Sequence, residues 1–123
     1  MVNETQDKKE EVFTFFSKCV GSTFTEGGQD ILKALEVGQV LHLKHDVGNQ
    51  YDSNAVGIHL KSEMNSTRFA YIPKETAAKL ISDVQANQVS CKVAELTGNT
   101  EGKSNAGANI ELTVTRPIKE VRQ

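Results

Sequence analysis

Two seven-residue stretches, QVLHLKH (residues 39–45) and AVGIHLK (residues 55–61), alternate apolar and polar side chains on either side of a turn-forming run, residues 46–54. A strict period of two belongs to a half-buried strand, because successive side chains of a strand point to opposite faces. Leu41 and Leu43 are therefore expected to point inward while His42 and Lys44 face out. In the second stretch Val56, Ile58 and Leu60 point inward and Gly57, His59 and Lys61 outward. A chain built around this pair has a sheet, with one face on the core, as its framework.

The flanking segments extend the sheet. Residues 12–24 are rich in Phe, Thr and Val and read as a strand that Gly21 bends or bulges. RFAYIP (68–73) is a strand ended by Pro73. QVSCKVAEL (88–96) sets Val89, Cys91 and Val93 on one side, and NIELTVT (109–115) alternates Ile110, Leu112 and Val114 before Pro117 closes the domain. Helical spacing occurs twice. Ile31, Leu32 and Leu35 form a short helical turn between Gly27-Gly28 and Gly38, and Ala77, Leu80, Ile81 and Val84 form the apolar stripe of a helix over residues 74–84, with Glu75 in its first turn. SEMNST is a polar loop, and TGNTEGKSNAGA, dominated by Gly, Asn and Ser, reads as a flexible connection. Six strands, one main helix and a short helical turn, without βαβ alternation, predict a small, mainly β barrel or half-barrel. The domain is expected over residues 11–117, between a flexible charged tail (1–10) and a C-terminal tail (118–123).

The 123 residues suffice for one domain with its own core. No apolar run approaches the roughly 18–20 residues that span a bilayer, and the opening MVNETQDKKEEVF lacks the apolar centre of a signal peptide, so the expected location is the cytoplasm. In that reducing compartment Cys19 and Cys91 read as small buried hydrophobes. The formal charge of −2 resides in the first 11 residues, where Glu4, Asp7, Glu10 and Glu11 outnumber Lys8 and Lys9. The rest of the chain is formally neutral, so contact with nucleic acid must be compact and specific, without a broad electrostatic footprint.

The turn between the alternating strands contains Gly48, Asn49, Tyr51, Asp52, Ser53 and Asn54. Asn, Asp and Ser hydrogen-bond to backbone two residues on, so a tight connection explains much of this composition, with the Tyr51 ring on the barrel and Asp52 capping the turn. The same residues also form a small-ligand kit. Asn49 offers an amide, Tyr51 a stacking surface and Asp52 a strong acceptor, with Lys44, Lys61, Arg68 and Lys74 clustered around them as a cationic wall or as a solvated strand face. His42 and His45, beside Asp46, lie three apart on a strand and so face opposite ways, which argues against a shared metal ion. His59 faces His42 only if the strand register sets them opposite. No Gly-x-Ser-x-Gly turn, Ser-x-x-Lys motif or phosphate-binding Gly-Lys-Thr is present, the cysteines lack a Cys-x-x-Cys spacing, and no carboxylate cluster suits a nuclease. These patterns support no enzyme, metal or cofactor.

LEVGQVLHLKHDVGNQYDSNAVGIHL followed by FAYIPKETAAKLI resembles the HIRAN domain, a module found in helicase-like DNA translocases and as a stand-alone protein in bacteria and phages. The resemblance rests on Gly38, on Leu41 and Leu43, on the Asn-x-Tyr-Asp-x-Asn-Ala turn (Asn49, Tyr51, Asp52, Asn54, Ala55), on Tyr71-Ile72-Pro73, and on the Ala/Leu-rich helix behind them. It covers residues 12–115, most specifically 35–81. It implies an OB-like β-barrel with a pocket for the 3′ end of single-stranded DNA, serving repair or replication without chemistry of its own, with a repair or helicase-type protein as a possible partner. Tyr51 would pack on the terminal nucleotide, Asp52 would receive the 3′-hydroxyl, and Asn49 would hold the turn and the end nucleotide. Lys74 would meet a phosphate and Tyr71 would line the pocket. A carboxylate repels phosphates and accepts from hydroxyls, so Asp52 in this role distinguishes a free 3′-OH from a 3′-phosphate.

The chain departs from the family pattern in three places. The first-strand Arg and Tyr of DNA-binding members are replaced within FSKCVG, where Lys18 supplies a charge and Phe16 is the ring at hand. The late loop SNAGANI carries no aromatic, and Ala70 stands where Gly usually precedes Tyr-Ile-Pro. Fewer stacking surfaces imply weaker DNA binding or a shifted ligand, and leave open a second reading: a protein-interaction module on the same barrel without the DNA-end pocket.

Overall fold

Aromatic and β-branched residues from Val12 to Phe16 form the centre of the first strand, β1 (Glu10–Lys18), in a computed structural model that describes residues 10–63, 66–100 and 103–117. The two expected tails, apart from Glu10 in β1, lie outside the described residues. β1 is shorter than the sequence suggests. It ends at Lys18; Gly21, with φ at 78°, bends the chain into a single 3-10 turn at Ser22–Phe24 instead of continuing a strand. The short helix α1 (Gly28–Ala34) follows and buries Leu32 against the sheet.

Strands β2 (Val40–His45), β3 (Val56–His59) and β4 (Arg68–Tyr71) form an antiparallel meander, then helix α2 (Lys74–Gln85) leads to β5 (Val89–Thr100) and β6 (Lys103–Pro117). The strand order is β1-β6-β5-β2-β3-β4, and every pairing is antiparallel. The two outermost strands then meet. Val20, just past β1, exchanges reciprocal backbone hydrogen bonds of 2.8 Å with Tyr71 at the end of β4, which curls the sheet into a half-barrel of the expected OB-like kind. Leu41, Val56, Ile58, Phe69, Val93, Ile110, Leu112 and Val114 fill its interior, and α2 adds Ala77, Leu80 and Val84 from the side. Apart from Phe69, these strand residues belong to the inward set that the alternation predicts; Leu43, Leu60 and Val89, also expected inward, are only partly buried at its margin.

Apart from Glu101 and Gly102, which lie outside the described residues, TGNTEGKSNAGA is strand and not a flexible connection. It forms the far part of the β5–β6 hairpin, in which Leu96 pairs with Ala108, Thr97 with Gly107 and Gly98 with Ala106. Gly, Ala and Asn have low strand propensity, so the composition conceals the hairpin; small side chains are what allow it to close over α1. Ala106 and Ala108 are buried there. The Gln29 side chain acts as a substitute strand partner: its Oε1 accepts from Ala106 N–H (2.7 Å) and its Nε2 donates to Ala106 C=O (3.0 Å) and to Ser22 Oγ (2.9 Å).

At the far end of α2, buried Asp83 accepts from Arg116 Nε (2.9 Å) and Nη2 (2.8 Å) and from Gln88 Nε2 (3.1 Å), fixing the helix to β6. Arg116 beside it holds the Asp83 carboxyl below the usual carboxylate range. Burial pushes both thiols, Cys19 and Cys91, up to about 12, in keeping with packed and unreactive cysteines. No helix among the described residues is long and apolar enough to cross a membrane.

Candidate nucleic-acid interface

The turn joining β2 to β3 is built from its own polar side chains. Asp46 N–H donates to Ala55 C=O (2.8 Å) and closes the neck, while Ala55 N–H donates back to Asp52 C=O (3.1 Å). Within the loop Asp52 Oδ1 accepts from Asn54 N–H (3.0 Å), the Asx arrangement that this residue type favours. Asn49 Oδ1 accepts from the backbone N–H of both Tyr51 (2.8 Å) and Asp52 (2.9 Å). One amide oxygen therefore fixes the two residues in the middle of the turn.

Behind Asn49 lies a network that local sequence does not reveal. Asn49 Nδ2 donates to Asp46 Oδ2 (3.0 Å) and reaches the Tyr71 hydroxyl (3.4 Å), which itself donates to Asp46 Oδ2 at 2.6 Å. Arg68 approaches the same carboxylate oxygen at 3.9 Å, and its guanidinium lies 4.7 Å from the centre of the Tyr71 ring. The hydrogen bonds from Tyr71 and Asn49, with Arg68 and His45 nearby, hold the Asp46 carboxyl below its ordinary value; burial and the hydrogen bond to Asp46 raise the Tyr71 phenol. Gly57 makes room for this stack. A Cβ there would stand 2.7 Å from Arg68 Cδ, so the arginine stem lies across the strand only because Gly57 has no side chain.

Five residues singled out from the sequence, Asn49, Tyr51, Asp52, Tyr71 and Lys74, line one cleft of about 370 Å³, with Val20, Ala55 and Ile72 as its apolar floor. Lys74 opens α2 immediately after Pro73, and the Tyr51 ring is 89% exposed, a conformation that gives an aromatic no burial on the barrel. Lys18 is not brought to this cleft. It lies in a separate depression with Phe16, Ser17 and Glu95. The cationic wall is also reduced. Lys44 donates to Ser66 Oγ (3.0 Å) and to Glu63 C=O, Arg68 is committed to Tyr71 and Asp46, and Lys61 is not among the lining residues, so among the described residues Lys74 is the cation at the cleft.

The register does set His42 opposite His59. His59 Nδ1 is engaged by Ser66, at 3.0 Å from its Oγ, and burial lowers the His59 pKa. His45 bonds through Nε2 to Ser53 C=O (2.8 Å) and through Nδ1 to Gln85 Nε2 (3.3 Å), which the Nε2–H tautomer satisfies at both ends. Among the described residues no group of three or more His, Cys, Asp or Glu is placed to hold a metal ion. Asp46, which the sequence offers only as a neighbour of histidines, is the residue anchoring the turn that sequence reasoning misses. Its spacing of three from Asn49 is the available signal.

The family model of the HIRAN domain matches residues 12–115. Two crystal structures have a similar fold: a protein from Lactobacillus plantarum (TM-score 0.63, 17% identity, covering 87% of this chain and 98% of that one), and the HIRAN domain of human HLTF (TM-score 0.62, 17% identity, covering 89% and 81%). No curated protein matches the sequence.

Proposed function

The chain belongs to the HIRAN domain family, and from that premise and the cleft we propose that it binds single-stranded DNA at a free 3′-OH end. Family membership supports a DNA-binding module in general; the end specificity rests on the chemistry of the turn. The observation that carries it is the division of labour around Asn49. The amide oxygen of Asn49 is spent on the turn backbone and its Nδ2 on Asp46 and the Tyr71 hydroxyl, so in this reading it positions the turn and does not touch ligand. What it positions is one exposed ring and one carboxylate, of which Oδ1 accepts from Asn54. Asp52 Oδ2 is then the acceptor for a hydroxyl, and Tyr51 the platform for the last base.

Lys74, on the same cleft, meets the phosphate next to the end, and Val20 and Ile72 give the sugar an apolar floor. Tyr71 contributes its ring edge only, its hydroxyl being given to Asp46. Lys18 is left out of the end-binding set because of its separate position. The module carries no chemistry in this reading: it marks a strand end in repair or replication for a partner that acts on it.

Fluorescence-anisotropy titration of a labelled 3′-OH oligonucleotide with wild type and the Tyr51→Ala and Asp52→Ala variants tests it. Loss of base stacking is worth about 1–3 kcal/mol, so Tyr51→Ala weakens binding about 5- to 150-fold. Wild-type binding also weakens with added salt, through one or a few phosphates. If Asp52→Ala binds the 3′-OH strand as well as wild type does, the assignment of Asp52 is wrong.

A further inference from the structure

β1 is an edge strand. It pairs with β6 on one side, and among the described residues no strand lies along the other, the chain crossing to β4 only beyond Lys18 at the Val20–Tyr71 bridge. An unpaired edge of nine residues presents a row of free backbone donors and acceptors. Its outward face carries Glu10, Val12, Thr14, Phe16 and Lys18, all exposed, with Val12 at 61% and Phe16 at 67%. No salt bridge engages Glu10 or Lys18 among the described residues.

These five positions are complementary to themselves about Thr14. Laid antiparallel against a second β1 with a twofold axis through Thr14, Glu10 of each copy faces Lys18 of the other, Val12 faces Phe16, and Thr14 faces Thr14. The same register sets Phe13 against Phe15 on the inner side, over a groove of about 410 Å³ whose far wall is Lys79 and Leu80 of α2. A one-residue slip would exchange the faces and lose both the charge pairs and the apolar pairs. An interface that uses one patch on both subunits is isologous and closes at two copies.

We propose that the β1 edge is a homodimer interface, in which two half-barrels join through antiparallel β1–β1 pairing and Lys18 pairs with Glu10 of the second copy. This does not depend on the DNA reading, since Tyr51, Asp52 and Lys74 lie off β1.

Sedimentation velocity of the full chain across a wide concentration range, without DNA, tests it. Wild type is expected to move from monomer to dimer with rising concentration. Lys18→Glu or Glu10→Lys alone turns two attractive pairs into two repulsive ones and raises the dimer dissociation constant about tenfold or more. The double reversal, Glu10→Lys with Lys18→Glu, restores it, which a merely misfolded variant cannot do. Phe16→Glu abolishes the dimer while circular dichroism shows the strand content unchanged. A chain that stays monomeric throughout, or a dimer indifferent to these charges, overturns the proposal and leaves the edge to another kind of partner.

Discussion

Asn49 spends its side-chain amide on the turn backbone, on Asp46 and on the Tyr71 hydroxyl of β4, and this explains why a loop of small polar residues holds one shape. The chain of contacts runs from Arg68 through Asp46 to Asn49 and ends on the backbone of Tyr51 and Asp52. Gly57 sits under its first link. Gly57→Ala forces the Arg68 stem off the strand, removes the cation from the Tyr71 ring and loosens the turn without altering any group that faces the cleft. The expected result is a loss of about 1–3 kcal/mol of stability, the range for strain introduced into a packed site, and weaker binding of a DNA end. Urea denaturation and the anisotropy titration measure the two effects. Tyr51 and Asp52 are visible in the sequence as a ring and a carboxylate in a turn. Asp46 is not, because its partners Tyr71 and Arg68 are supplied by β4, 25 and 22 positions away.

At the scale of elements, the attachment of α2 makes the structure sensitive to acid. Asp83 is buried and its folded pKa is depressed, so its contribution is complete above the unfolded carboxylate value of about 3.9 and is lost as the pH falls through the folded value. Asp46 has the same sign. Asp83→Asn is expected to cost about 2 kcal/mol at neutral pH, the scale of a charged hydrogen bond. It should also flatten the acid limb of the stability curve relative to wild type. Urea midpoints at neutral and acid pH check this; an unchanged acid limb would remove Asp83 from the account. The strands themselves are legible wherever a large apolar residue recurs every second position, as in Leu41, Val56 and Ile58. The far part of the β5–β6 hairpin is not, since Ala106, Gly107 and Ala108 signal a loop by composition and become strand through tertiary contacts, among them the clamp of Gln29.

For the whole molecule, the half-barrel places two surfaces on different elements: a cleft where the β2–β3 turn meets Tyr71 and Lys74, and an edge along β1 that carries both apolar and charged residues. Lys18 shows how far the sequence carries such a division. By position in the chain it is the first-strand charge that the family resemblance calls for, yet the curled sheet puts it outside the cleft. In the proposed function Asp52 reads the hydroxyl at a 3′ terminus. The measurement that bears on it most directly is the affinity of the wild-type chain for one oligonucleotide carrying either a 3′-OH or a 3′-phosphate, at fixed moderate salt. The account predicts clear preference for the hydroxyl, because a phosphate brings its charge against a carboxylate. Equal affinity for the two ends, or tighter binding of the phosphate, would contradict it.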